Sequence, residues 1–358
     1  MIHLYVNYPE QTPCYRSVSE ALSSLPEIEL LPQAFPAPEE PQAEPVTVHI
    51  APGIYEELLV VERPYVTFLG EDALKTVLSF HLGAFEAMPD GSRRGTFRTA
   101  SVRVHAHNFT ARNITFQNTA GYGHTVGQAL ALYADGDRLV LENCRLISSQ
   151  DTLFTAPLPP TAAKPGGFTG PGEHAPRTNN RQYYVNCFIQ GDVDFIFGGA
   201  IAYFQGCTIF SKKPGDRKPP ESPADEVIYG YATAASTPKD LPFGYVFEGC
   251  RFDSDCPPRS VYLGRPWREW AKTVLLRCSL GSHIHSAGWN DWNKPHDHFY
   301  YGEYLCTGEG AAASERAAFS HLLSDDEAAL YTVQNVLGGP DGWNPQVTCS
   351  PQSPCADR

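Results

Sequence analysis

From residue 96 onward the hydrophobic positions fall into short runs that recur. Phe109–Phe116 (FTARNITF), Leu139–Ile147 (LVLENCRLI), Tyr183–Ile189 (YYVNCFI), Ile201–Phe210 (IAYFQGCTIF), Tyr245–Phe252 (YVFEGCRF) and Val274–Leu280 (VLLRCSL) share one grammar. Each is a short apolar strand, a polar or glycine break, and a second short alternating strand. The period of two predicts strands, and recurrence at intervals of about 20–45 residues predicts a solenoid rather than a layered sheet. In five of the six, a cysteine follows the break: Cys144, Cys187, Cys207, Cys250 and Cys278. Coils stack at the ~4.8 Å strand spacing, so equivalent positions form columns. Five cysteines in one phase therefore predict a buried column of reduced thiols, not a disulfide framework.

Upstream, Met1–Val6 alternates like a first strand and Ser17–Leu25 (SVSEALSSL) predicts the one short N-terminal helix, capped by Ser17 or Ser19. Val46–Ile50 reads as a strand and Gly53–Glu57 as a turn opening another. Residues 32–45, 155–180 and 213–226 are rich in proline, glycine and polar residues and read as loops. On a solenoid such insertions collect on one face, often the binding face. A β-sandwich is the competing architecture, but it calls for more even strand spacing and Asn-Gly hairpin signals, which are scarce here.

Composition narrows the function. The chain has 358 residues with 31 prolines and 30 glycines, which suits many turns and few long helices, and one domain over 1–358 is expected. A formal net charge of −13 argues against nucleic acid and anionic membranes as partners. No run approaches the ~18 apolar residues of a membrane span. Residues 1–25 lack a basic stretch followed by an apolar one, so a cytoplasmic protein is expected, the alternative being a secreted chain whose signal lies outside this sequence. Cys349 and Cys355 flank a Ser/Pro-rich tail and are a candidate disulfide only in an oxidising compartment.

The candidate chemistry lies in four polar clusters: Gln128–Leu132 (QALAL), Gln150–Phe154 (QDTLF), Gly191–Gly198 (GDVDFIFG) and Leu263–Trp267 (LGRPW). Gln150 and Asp151 end one coil and Asp194 ends the next complete one, so stacking predicts that the two carboxylates meet. Asp192 is the near decoy, read as a turn residue. Two carboxylates can divide nucleophile and acid/base roles, glutamine N–H groups can donate to an oxyanion, and an arginine can hold one carboxylate ionised. Asp151 has no cation in its own motif, and Leu153 and Phe154 disfavour charge, so it is expected to keep its proton to higher pH than Asp194. The pairs His283/His285 and His296/His298 lack a third ligand nearby in sequence, and this chemistry needs no metal; neither metal nor cofactor is expected.

These motifs, with Gly53–Glu57 (GIYEE), Thr96–Ser101 (TFRTAS), Asn113–Gly121 (NITFQNTAG), Gly288–Trp292 (GWNDW) and Tyr300–Tyr304 (YYGEY), resemble the pectin methylesterase (pectinesterase) family over nearly the whole chain. The resemblance implies an all-β, right-handed parallel β-helix and hydrolysis of C6 methyl esters of methylated galacturonan, giving methanol and free galacturonate. It implies Asp194 as nucleophile, Asp151 as general acid/base, Gln128 and Gln150 as oxyanion donors, and Arg265 as the partner of Asp194. Trp267 becomes a substrate-stacking residue, with Ser101, Phe154, Phe195 and Tyr231 as further groove residues. The long loops resemble the bacterial branch more than the plant one. Residues 120–127 (AGYGHTVG) are longer than the usual turn, Leu130 replaces a smaller residue, a larger residue often stands where Gly199 does, and Cys306 occupies a usual asparagine position; these departures bear on substrate preference. The partner expected is methylated galacturonan or its oligomers as substrate, and the protein itself is expected to be a monomer. The alternatives are an esterase or thioesterase on another ester, a non-catalytic polysaccharide-binding β-helix, and a lyase or polygalacturonase on the same architecture.

Overall fold

The structure, a computed structural model, describes residues 1–28, 43–215 and 227–347. The tail cysteines Cys349 and Cys355, and most of the expected loops at 32–45 and 213–226, lie outside the described residues. Among the described residues, strands form three sheets of twelve, eight and seven members, and in each the hydrogen-bonded neighbour along the repeat is the strand one coil on. Among the described residues every strand pairing within them is parallel, as in Leu139–Glu142 on Arg181–Val185 and Arg181–Val185 on Ile201–Gln205. The result is a right-handed parallel β-helix, three strands to a coil. The helix Val18–Ser23 covers its N-terminal end, burying Val18 and Ala21, and Ser17 caps it by accepting the Glu20 N–H at 3.0 Å.

The break in each repeat has a conformational cause. Asn113, Asn143, Asn186, Gly206, Gly249, Arg277 and Leu305 occupy it, all with φ between 47° and 62°. One left-handed residue redirects the chain from the first sheet into the second, a position that asparagine and glycine tolerate best. Arg277 and Leu305 take it without that advantage, where the column nears its C-terminal end.

The residue after the break points inward. Cys144, Cys187, Cys207, Cys250 and Cys278 are all free and buried, forming the expected column. Each thiol donates to a carbonyl of the preceding coil: Ala111, Leu141, Tyr184, Phe204 and Phe247, at 3.3–3.4 Å. Cys306 continues the ladder as a sixth rung, donating to Leu275 O at 3.8 Å. A thiol reagent is therefore expected to label exposed Cys14 in the native protein and the five column cysteines only after unfolding. Rapid native labelling of all five would contradict the column.

Near the C-terminal end, the helix Val333–Leu337 packs on the outer face of the first sheet, beside Tyr183, Ile201 and Tyr203. Buried Arg181 fastens it, donating to Asp137, to Asp341 and to the carbonyl of Leu337. This guanidinium is fully answered by carboxylates and carbonyls, which is the condition for keeping a charge inside.

Candidate active site

The third sheet carries the carboxylates. Leu153 pairs with Ile196 and Phe154 with Phe197; two residues back along each strand, Asp151 falls beside Asp194 on the neighbouring coil. The Asp151 N–H donates to Val193 O at 3.1 Å. Both aspartates have left-handed backbones, φ 63° at Asp151 and 51° at Asp194, a conformation that short polar side chains tolerate and that clusters at functional sites. On its other side the strand Val193–Gly198 is bulged: Val193 pairs with Tyr231 but Ile196 with Thr233, three steps against two. The bulge breaks strict alternation at Asp194–Phe195. Asp194 is delivered to a surface cleft while Phe195 stays fully buried. Asp192 is buried and its carboxylate accepts the Val193 N–H at 2.7 Å, the turn role expected of it.

Arg265 grips Asp194 bidentately. Its Nε donates to Oδ1 and its Nη2 to Oδ2, both at 2.7 Å. The guanidinium lies between two aromatic faces, 3.8 Å from the Tyr231 ring centre and 3.7 Å from that of Trp292. The stack continues on both sides: Tyr262 and then His285 lie beyond Tyr231, and Lys294 lies 4.3 Å from Trp292. Burial pushes the Asp194 carboxyl up while Arg265 opposes it. Asp151 is pushed much further up, by burial first and then by the negative charge of Asp194, with Arg265 only partly offsetting. The two therefore separate in the expected order, Asp194 ionising first. Burial and the neighbouring guanidinium groups lower the Lys294 ammonium to about 8.

Gln128 and Gln150 sit on adjacent coils, joined by the Ala129 N–H to Gln150 O bond at 3.1 Å. Both line the same cleft as Asp151, Asp194 and Trp267, a space of about 330 Å³. Among the described residues neither glutamine amide makes a side-chain hydrogen bond, so their donors remain for a ligand. Gly123, in the short helix Gly123–Val126 of the unusual 120–127 segment, leaves the room Gln150 needs, since a Cβ there would sit 2.4 Å from Oε1. The loop after residue 155 contributes Ala163, Lys164, Gly167 and Phe168, which places that insertion on the binding face as expected.

Several groove assignments are corrected. Ser101 and Phe154 are fully buried, as is Phe195. Phe154 is the base of an aromatic layer whose upper members Phe97, Phe168, Phe197 and Trp267 reach the cleft. The TFRTAS motif thus contributes Phe97 rather than Ser101, because Ser101 turns inward as the strand Val102–His105 begins. Tyr231 supports Arg265 from behind and does not line the cleft. Trp292 was missed: in GWNDW, Trp289 enters the core while Trp292, at φ 51°, turns onto Arg265. The available signal was only that its motif, GWNDW, stands among those that carry the family resemblance. His296 and His298 face Asp291 and Glu269, and among the described residues no three His, Cys, Asp or Glu side chains gather as a metal site.

A parallel β-helix whose coils set two buried carboxylates and two free amides in one cleft, with a guanidinium clamping one of the carboxylates, defines a hydrolase of the paired-aspartate kind. Sequence comparison supplies the rest. The Pectinesterase family pattern matches residues 19–158 and 176–340, and the chain belongs to that family. It is 32% identical to pectinesterase QRT1 of Arabidopsis thaliana over 309 residues, 83% of this chain and 70% of that one. It is also 32% identical to a pectinesterase of Daucus carota over 339 residues, 91% and 90% of the two chains. Other matched plant proteins are longer, and the chain spans about half their length. Among solved structures, pectin methylesterase PemA from Erwinia chrysanthemi superposes with a TM-score of 0.74 at 26% identity, covering 96% of this chain and 98% of that one.

Proposed function

We propose that the chain is a carboxylic ester hydrolase that removes C6 methyl esters from methylated galacturonan. The observation that carries this reading is the asymmetric pair: Asp194 clamped by Arg265, beside an Asp151 that burial and Asp194 keep protonated. The Asp194 carboxylate attacks the ester carbonyl carbon, and the Gln128 and Gln150 amides donate to the oxyanion that forms. Asp151 gives its proton to the departing methoxide, releasing methanol and leaving an acyl-aspartate. Water, deprotonated by Asp151, then attacks that acyl carbon, restores both carboxyl groups and frees the galacturonate. Trp267 and the aromatic layer beneath it offer a platform for a sugar ring. The loop lengths support an affinity with bacterial members, although the relatives named above include both plant and bacterial enzymes.

The test is methanol release from methylated pectin and from short methylated oligogalacturonides, with polymer length followed in parallel. Methanol without chain shortening is expected. Shortening without methanol would assign the cleft to a lyase or glycosidase, and methanol from neither substrate would point to a different ester.

A further inference from the structure

A second cleft, of about 500 Å³, has its own lining residues but draws them from two segments that also line the catalytic cleft. Trp267 and Arg268 line the first cleft and Trp270 the second; Trp292 lines the first, and His296 to Phe299 the second. We propose that this second cleft binds de-esterified galacturonate units of the same polymer whose methyl esters are removed next door. This rests on the esterase reading of the first cleft.

The chemistry of the lining argues for an acidic sugar. Phe243, Tyr300 and Tyr331 supply aromatic walls suited to the C–H faces of a pyranose ring, and Trp270, itself stacked on His298 at 4.1 Å with the Lys239 ammonium 5.2 Å from its ring centre, closes one side. His321 stacks on Tyr300 at 4.7 Å and offers a ring nitrogen to hydroxyls. Among these groups sits Lys272, half-buried, its ammonium pushed below its ordinary range by burial alone. Its Nζ donates to Leu241 O at 2.6 Å and Pro242 O at 3.5 Å, and among the described residues no carboxylate pairs with it. An ammonium has three donors, so one remains for a ligand. A carboxylate answers it with charge; a methyl ester answers it only weakly, and an apolar ligand would bury it unanswered. Other carboxylates nearby are engaged elsewhere: Glu269 faces His298, Asp291 faces His296 and Glu327 accepts at its own helix N-cap. Asp297 lines the cleft but is exposed and makes no ion pair with Lys272. A polymer held here by its free acids keeps its remaining esters at high local concentration over Asp194.

The experiment titrates native protein, Lys272→Met and Trp270→Leu with a fully de-esterified oligogalacturonate. Methanol release from a short methylated oligomer is measured on the same samples as the control for folding and for the first cleft. Any binding of the probe in the catalytic cleft is common to all three proteins, so the difference isolates the second site. A loss of about tenfold or more in affinity is expected for Lys272→Met, the weight of one hydrogen bond to a charged group. Turnover of the short methylated oligomer is expected unchanged, with a raised KM on long, partly de-esterified pectin. Native-like titration by both variants overturns the proposal, as does equally tight binding of a fully methylated oligomer at the second site. Absence of methanol release by the native protein instead overturns the reading of the first cleft, and the titration still reports on the second.

Discussion

Asp194→Asn is expected to abolish turnover, and Asp151→Asn to lower it by roughly 10²–10⁴. An amide in place of Asp194 has no lone pair nucleophilic enough to open the ester, so no acyl-enzyme forms. It also strips Arg265 of the carboxylate that holds both of its donors at 2.7 Å. An amide in place of Asp151 leaves attack possible, but methoxide departs unprotonated and the acyl-aspartate loses its base. Hydroxylamine separates the two cases. During native turnover it should divert acyl-enzyme to hydroxamate; with Asp194→Asn no hydroxamate should appear. If the native enzyme gives none at any concentration while methanol is released normally, water attacks directly and Asp194 is its base.

The same pair sets a pH dependence with a definite sign. Activity needs Asp194 ionised and Asp151 protonated, so it should rise as the first loses its proton and fall as the second does. Burial raises both carboxyls above the ordinary aspartate range, Asp151 the more. A carboxyl whose folded pKa lies above its unfolded one favours the fold at low pH and loses that contribution as pH rises through the folded value. The pair is thus a burden on stability at neutral pH. Asp151→Asn should remove part of it, giving a less active protein with a higher Tm at neutral pH and little change in acid. A Tm lowered at neutral pH would show that the Asp151 carboxylate is better satisfied than its surroundings indicate.

The solenoid was legible because its repeat is local. Strand, left-handed break, cysteine and strand recur within single coils, and coil stacking turns that phase into columns. Asp151 and Asp194 were legible for the same reason, as residues at equivalent ends of coils. Phe195 was not, because at the bulge the period of two no longer says which way a side chain points. Phe154 and Ser101 were not, because what covers them is packed from other coils and loops. Phe195 shares a strand with Asp194 yet goes to the core. Trp292 and Phe97 lay in motifs that could be read, but their contacts cross between segments far apart in sequence. No periodicity encodes that Trp292 lands on Arg265, or that Trp270 turns away from Trp267 into another cleft.

Arg265→Lys should lose about 10- to 100-fold in turnover with the fold intact, the weight of one or more charged hydrogen bonds. Lysine supplies one ammonium where the carboxylate now meets two parallel N–H groups, so Asp194 is free to rotate away from its line of attack. The aromatic sandwich extends the prediction. Tyr231 and Trp292 lie at 3.8 and 3.7 Å on the two faces of the guanidinium, which fixes its plane as well as its place. A planar cation between two rings has little freedom to swing, so the fork meets Asp194 already aligned. Trp292→Ala removes one face and should cost roughly two- to thirtyfold, the range of a single cation–π contact. Trp292→Phe keeps a face and should recover most of that loss. Because Arg265 is what opposes the upward push on Asp194, Trp292→Ala should also move the acidic limb of the pH–rate profile to higher pH. That shift distinguishes positioning from simple loss of substrate contact, since Trp292 also lines the cleft. A raised KM with an unmoved acidic limb would make Trp292 a binding residue only, and would leave Tyr231 as the face that aligns Arg265.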